Sequence, residues 1–112
     1  RKMQREAANR RTVEATKKAT VIITNPTHYS IALKYDMDTM ASPKLVAKGI
    51  DHLAFRIREV ATANDVPLVE NPPLARALYA SVELDEEIPA QHFQAVAEVI
   101  GYVMRLRGDI KH

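Results

Sequence analysis

A short β-branched segment that stops at an Asn-Pro pair limits what this chain can fold into. Residues 20–24 read TVIIT and are followed at once by Asn25 and Pro26. β-Branched residues favour strands, and proline cannot continue the hydrogen-bonded ladder. Residues 29–35 (YSIALKY) alternate apolar with small or polar side chains, which is typical of a second strand. The sequence therefore predicts two strands joined by a turn at residues 25–28.

The overall composition is that of one globular domain. The chain has 112 residues, of which 46% are hydrophobic and 27% are charged. It contains no cysteine, which excludes a disulfide scaffold and a thiol nucleophile. The sequence shows neither an apolar stretch of membrane-spanning length nor a signal peptide. We therefore expect a domain on the cytosolic side of a membrane.

The positive charge is concentrated at the start of the chain. Residues 1–18 carry seven basic and two acidic side chains, a net charge of +5, whereas the remaining 94 residues carry nine and twelve, a net charge of −3. Residues 1–18 contain no Pro or Gly, which predicts a helix, but they lack an apolar stripe, so this helix needs an external partner or a tether. Such an arm suits an anionic membrane surface, nucleic acid or plain solvent. Because aromatic residues make up only 5% of the chain, nucleic acid is not expected as a partner.

The middle of the chain predicts a long amphipathic helix. Ser42 has the character of an N-cap, and Pro43 suits the first helical position. Apolar residues then recur at intervals of three and four, so we predict one helix that begins at Pro43 and ends near Asn64. Its first turns would expose Lys44 and Lys48 to solvent.

The remaining signals complete an α/β pattern. We predict a strand at 66–70, a short helix that Asn71-Pro72 begins, a strand or turn at 82–87, and a last helix from Pro89 that Gly108 ends. This order indicates a small mixed four-stranded sheet flanked by helices and preceded by an N-terminal linker helix. A right-handed crossover connects the second predicted strand to the third.

The bond between Asn25 and Pro26 has an unusual chemical option. Proline has no N–H, so its backbone nitrogen cannot attack the asparagine side chain. The side-chain nitrogen of Asn25 can instead attack its own backbone carbonyl carbon, which closes a succinimide and expels the nitrogen of Pro26. This weak nucleophile needs a turn that positions it and nearby N–H groups that stabilise the oxyanion. His28 is the neighbouring group able to exchange a proton around neutral pH.

The residues alone also leave an inert turn open. Asn-Pro is a common turn pair, Thr27 can simply hydrogen-bond within the turn, and His28 can be an ordinary surface histidine. Asn71-Pro72 is a second Asn-Pro pair and stands at a predicted helix start. There we expect Asn71 to cap the helix and the chain to stay intact.

Other chemistry finds little support in the sequence. His52 and His92 belong to separate predicted helices and lack the spacing of a zinc site. The single glycine at the end of residues 43–49 (PKLVAKG) does not make a phosphate-binding loop. We therefore expect no metal, no cofactor and no enzyme with multiple turnovers.

Four segments of the chain resemble the cytoplasmic domain of the FlhB/YscU family, in the same order and at the same spacing. They are TNPTHYSIALKYD at 24–36, SPKLVAKG at 42–49, VPLVENPPLARALY at 66–79 and IPAQHFQAVAEVIGYVMRLRG at 88–108. This family comprises export-switch components of bacterial flagella and of type III secretion injectisomes. The ENPPLARALY form and the last helix are more similar to the flagellar branch.

The resemblance implies a single self-cleavage event. Asn25 would be the self-cleaving residue, Pro26 the new N-terminus, and Thr27 and His28 the residues that set the conformation of the turn. The two fragments would stay associated. The cut would take part in switching export from rod and hook proteins to filament proteins.

The resemblance also implies where the chain works. Residues 1–19 would be a basic linker helix that leads from a transmembrane domain in the bacterial inner membrane, and residues 20–112 the self-cleaving export-switch domain on the cytoplasmic side. Its partners would be other cytoplasmic components of the export apparatus and exported substrates. Two alternatives stay open: an injectisome homologue, and an interaction domain with an inert Asn-Pro turn.

Overall fold

A computed structural model describes residues 2–26 and 28–108. The chain forms a four-stranded sheet with the order β3-β2-β1-β4, in which β1 pairs parallel to β4 and the other pairs are antiparallel. Its elements are α1 (Lys2–Lys17), β1 (Val21–Asn25), β2 (Tyr29–Lys34), β3 (Lys44–Ile50), α2 (Asp51–Ala63), β4 (Leu68–Glu70), α3 (Pro72–Ser81), a 3₁₀ turn (Ala90–His92) and α4 (Phe93–Arg107). The predicted α/β class with a mixed sheet is confirmed.

The sheet is covered on both faces. Val21 and Ile23 of β1 pack with α3 and α4 on one face, whereas Ile22 packs with α2 on the other. All three side chains are fully buried. A strand buried on both faces reads as a continuous apolar run, which is why residues 20–24 do not alternate.

The predicted helix over 43–64 is wrong in its first third. Residues Lys44–Ile50 form β3, which pairs with β2 along its outer side, and α2 begins only at Asp51. Leu45, Ala47 and Gly49 are buried, and their neighbours are less so, which is the two-residue period of a strand. The strand supplies partners for the free backbone groups of β2, and a helix there would leave that edge unpaired.

Residues 82–87 form a turn and not a strand. Glu87 makes a single bridge to Lys44, so this segment lies against the edge of β3. Residues 82–87 thus do not contribute a strand to the sheet, and β3 takes the place that was open to them. The strand predicted at 66–70 is the edge strand β4, next to β1.

The second half of α1 packs on the domain itself. The Thr16 side chain is fully buried, and its Oγ1 donates to the Thr12 carbonyl over 2.7 Å. Ala15 and Ala19 contact the core cluster beneath α2. The expectation that this helix needs a partner outside the domain is thus wrong for its last turns. The small side chains of Ala15 and Ala19 allow this segment to pack closely on the domain, although it lacks an apolar stripe.

Two predicted helix signals are confirmed. Asn71 caps α3, because its Oδ1 accepts a hydrogen bond from the Leu74 N–H over 3.3 Å. Gly108 ends α4 with a left-handed φ of 77°. The last helix differs at its start, where the 3₁₀ turn separates Pro89 from α4. Within residues 2–26 and 28–108, no helix is both long and apolar enough to span a membrane.

Candidate functional site

The Asn25–Pro26 bond lies in the hairpin that joins β1 to β2. Asn25 is the last residue of β1 and pairs with Tyr29, the first residue of β2. The His28 N–H donates to the Asn25 carbonyl oxygen over 3.0 Å, which closes the turn. Pro26 and His28 are exposed, whereas Asn25 is half-buried. The predicted site residue Thr27 lies outside the described residues.

The carbonyl that a succinimide reaction would attack already accepts a hydrogen bond. An N–H group on a carbonyl oxygen polarises the bond and stabilises negative charge that develops there. No residue in the described part of the chain is hydrogen-bonded to the Asn25 side-chain amide. The turn therefore combines a polarised backbone carbonyl with an amide that these residues do not engage.

Asp51 contacts His28 through both its backbone and its side chain. The Asp51 N–H donates to the His28 carbonyl over 2.9 Å, and its Oδ1 lies 3.5 Å from His28 Nδ1. Asp51 has a φ of 48°, in the left-handed region. Sequence reasoning missed this residue because it placed Asp51 inside a long helix, and no local signal links positions 23 residues apart.

Aromatic and charged side chains support the β2 side of the turn. The Tyr29 ring lies 5.0 Å from the Tyr79 ring of α3, and Lys48 Nζ lies 4.9 Å from the centre of the Tyr79 ring. Lys48 Nζ also donates to the carbonyls of Tyr79 (3.0 Å) and Val82 (2.9 Å). Lys48 is thus half-buried, and the expectation of an exposed lysine at this position is wrong. The sequence carried no signal for this role, because the two bonded carbonyls come from α3 and the residue after it.

The second Asn-Pro pair stands in a different environment. The Asn71 carbonyl accepts the Ala75 N–H of α3 over 2.9 Å, and the Asn71 side chain is occupied by the cap to Leu74. Its bonding groups are committed to the start of a helix. The intact Asn71–Pro72 bond stays a prediction.

The described residues do not form a candidate metal centre. Among residues 2–26 and 28–108, no three histidine or acidic side chains come together in a way that could hold a metal ion. His92 Nε2 lies 3.4 Å from Ser81 Oγ and far along the chain from the turn.

Fold and turn define a small α/β domain with an Asn-Pro hairpin at the end of a mixed sheet, the type of domain that the sequence resemblance implied. Residues 1–103 match the model of the FlhB HrpN YscU SpaS Family, and the chain belongs to that family. It is 53% identical over 107 residues to the flagellar biosynthetic protein FlhB of Bacillus subtilis (strain 168), which covers 96% of this chain. The chain spans about 30% of the length of that relative.

Solved structures extend the similarity to the fold. The cytoplasmic domain of FlhB from Shewanella putrefaciens superposes with a TM-score of 0.83 at 46% identity, covering 88% of this chain and 76% of that one. The C-terminal domain of EscU is 34% identical with a TM-score of 0.79, covering 82% of this chain and 92% of that one, in a variant whose asparagine is replaced by alanine. A further EscU variant carries alanine at the proline that follows this asparagine, with a TM-score of 0.78 at 34% identity, covering 81% of this chain and 90% of that one.

Proposed function

We propose that this domain cleaves its own chain between Asn25 and Pro26 as part of a flagellar type III export component. The observation that carries the proposal is the hairpin turn, in which the Asn25 carbonyl oxygen accepts the His28 N–H over 3.0 Å while no described residue is hydrogen-bonded to the Asn25 side-chain amide. The EscU variants add support, because they alter an asparagine and the proline directly after it. The reaction happens once per chain, so the domain is not a multiple-turnover enzyme. Its proposed role is that of a transport component.

The cleavage step uses only atoms of the turn. Asn25 Nδ2 loses a proton and forms a bond to the Asn25 backbone carbonyl carbon, whose oxygen takes the negative charge. The His28 N–H stabilises that oxyanion. The carbon–nitrogen bond to Pro26 then breaks, and the proline nitrogen takes up a proton. Water later opens the succinimide, which leaves a carboxylate on the first fragment.

The proposed reaction depends on fixed geometry. The attacking nitrogen and the carbon belong to one residue. A turn that holds them in a reactive arrangement lowers the entropic cost of reaching the transition state. The His28 ring, three residues after Asn25 in the chain, is the proposed group that accepts the proton from Nδ2 or delivers one to the Pro26 nitrogen. Thr27 is the fourth residue of the proposed site.

Cleavage at this position would leave the domain folded. The first fragment would keep β1, whose Val21, Ile22 and Ile23 are fully buried in the middle of the sheet. β1 is hydrogen-bonded to β2 on one side and to β4 on the other. The cut would free Pro26 and create an ammonium and a carboxylate at the surface, which changes local shape and charge. This change is the proposed switch from rod and hook substrates to filament substrates.

Residues 1–19 are the proposed linker to a transmembrane domain in the bacterial inner membrane, and residues 20–112 are the proposed switch domain on its cytoplasmic side. The net charge of +5 over residues 1–18 suits an anionic cytoplasmic leaflet. The partners of the switch domain would be other cytoplasmic export components and exported substrates. The 53% identity to a flagellar biosynthetic protein favours the flagellar branch over an injectisome homologue.

The intact mass of freshly purified, denatured protein tests the proposal. We expect fragments of 25 and 87 residues whose masses sum to that of the 112-residue chain plus one water. The Asn25→Ala variant should give one intact, folded chain, because it lacks the attacking nitrogen. A single uncut species in the parent protein over days would instead indicate an interaction domain with an inert turn. Cleavage at the same bond in Asn25→Ala would contradict the succinimide mechanism.

A further inference from the structure

We propose that Asp51 is a positioning residue for the cleavage, because it holds His28 against the carbonyl of Asn25. This inference rests on the proposed self-cleavage and adds to it a residue from another element of the fold. Asp51 touches neither Asn25 nor Pro26 in any hydrogen bond of the described structure. Its effect would pass through His28.

His28 is held on both sides of its backbone. Its N–H donates to the Asn25 carbonyl over 3.0 Å, and its own carbonyl accepts the Asp51 N–H over 2.9 Å. These two bonds fix the peptide planes before and after His28. The direction of the His28 N–H toward the reacting oxygen therefore depends on where Asp51 lies.

The sheet brings Asp51 to this place. Asn25 pairs with Tyr29, and Tyr29 pairs with Ile50, so the ends of three strands form one row. Asp51 follows Ile50 directly and begins α2. Its position is thus set by the same ladder that sets the position of the cleavage turn.

The Asp51 carboxylate adds a contact to the ring of His28. A carboxylate accepts hydrogen bonds, so of the two neutral tautomers of the ring, Oδ1 at 3.5 Å favours the one that carries its hydrogen on Nδ1. That form leaves Nε2 as the proton acceptor, which is the role the mechanism needs. A contact between side chains that are 63% and 71% exposed contributes little to folding, so its expected effect is on the ring and not on stability.

The backbone conformation of Asp51 limits which residues can occupy this position without strain. A φ of 48° is unfavourable for most side chains, but Asp, Asn and Gly tolerate it. Asp51→Gly therefore keeps the backbone N–H in place and removes only the carboxylate. Asp51→Asn keeps the backbone and an acceptor oxygen and removes only the charge.

Two measurements on these variants test the proposal. The first is the rate of fragment formation, followed by mass spectrometry after cell-free synthesis is stopped. We expect Asp51→Gly to cleave about tenfold more slowly, because the His28 ring loses the partner that keeps Nε2 free to accept a proton, and Asp51→Asn to recover part of the rate. The second is the ¹⁵N NMR spectrum of His28 in the uncut Asn25→Ala background. There we expect the Nδ1–H form with Asp51 and a shift toward Nε2–H in Asp51→Gly.

Asp65→Gly is the matched control. Asp65 is also exposed, has a φ of 58°, and follows the other end of α2, away from His28. This variant should change neither the rate nor the His28 spectrum. Equal rates and equal spectra for the parent and Asp51→Gly would overturn the inference while leaving self-cleavage standing. A parent chain that stays uncut would overturn both, and so the two failures are distinct.

Discussion

The backbone N–H of Asn71 donates to the carbonyl of Thr24 over 2.9 Å, and this bond places the two Asn-Pro pairs next to each other. Thr24 precedes Asn25 at the end of β1, and Asn71 follows the parallel strand β4. One pair turns back into a hairpin, whereas the other enters a helix. Two copies of the Asn-Pro dipeptide therefore lie side by side in different backbone environments. Their cleavage can be compared within one molecule.

We expect Asn71→Ala to lower stability without affecting cleavage at Asn25. Loss of the cap to the Leu74 N–H should lower the free energy of unfolding by about 1 kcal/mol. Urea denaturation in the uncut Asn25→Ala background measures this, because that background stays one chain. Neither the parent nor Asn71→Ala should yield a fragment that ends at residue 71. A parent fragment that ends at residue 71 would contradict the prediction, because an asparagine engaged in a helix cap would then also cleave.

The two fragments of the cleaved protein should elute together in native size-exclusion chromatography and separate in denaturant. β1 stays in the sheet after the cut, because its neighbours on both sides belong to the second fragment. Ile22→Asp should weaken this association, since an unpaired charge would enter the core. Lys18→Asp, an exposed change just before β1, serves as the control and should leave co-elution intact. Separate elution of the parent fragments would contradict the prediction.

Gly49→Ala should destabilise the domain by about 1–3 kcal/mol, since α2 approaches the sheet too closely for a larger residue. A Cβ at this position would lie 2.7 Å from Leu53 Cγ and 3.1 Å from the Ala54 nitrogen. Thermal unfolding of the uncut Asn25→Ala background measures the effect.

Gly101→Ala is the matched control for this change and should act in the opposite direction. Apart from the backbone of α4 itself, its Cβ would meet only the far end of the Arg105 side chain among the described residues, at 3.3 Å. Gly101 lies inside α4, where alanine is favoured over glycine by about 0.5–1 kcal/mol. A stabilised Gly49→Ala variant would show that the contact between α2 and β3 is looser than described.

Lys48→Met should lower the free energy of unfolding by about 1–3 kcal/mol, because two carbonyls lose a charged donor. These carbonyls belong to Tyr79 and Val82, and the lysine side chain is only 17% exposed. Lys44→Met on the same strand is exposed and should change stability by no more than about 0.5 kcal/mol. Chemical denaturation of both variants in the uncut background compares them directly. Equal stabilities would argue against the Lys48 contacts.

Local chemistry made part of the fold predictable. The hairpin between β1 and β2 follows from an apolar run, an Asn-Pro turn and an alternating run, all within 16 residues of sequence. The cap at Asn71 and the stop at Gly108 depend on one residue and its immediate neighbours. Asn25, Pro26 and His28 lie together because they are nearly consecutive. The sequence by itself determined these features, since hydrogen bonds over a few residues decide them.

Tertiary structure decided the rest. Val46 and Ile50 fit a helix as well as a strand, and β3 formed because the outer edge of β2 needed hydrogen-bond partners. The contact between Asp51 and His28 joins positions 23 residues apart and depends on that strand pairing. Lys48 found its carbonyls in the same way. Such contacts depend on strand pairing between distant segments. The local pattern of residues does not encode which distant segment a strand pairs with.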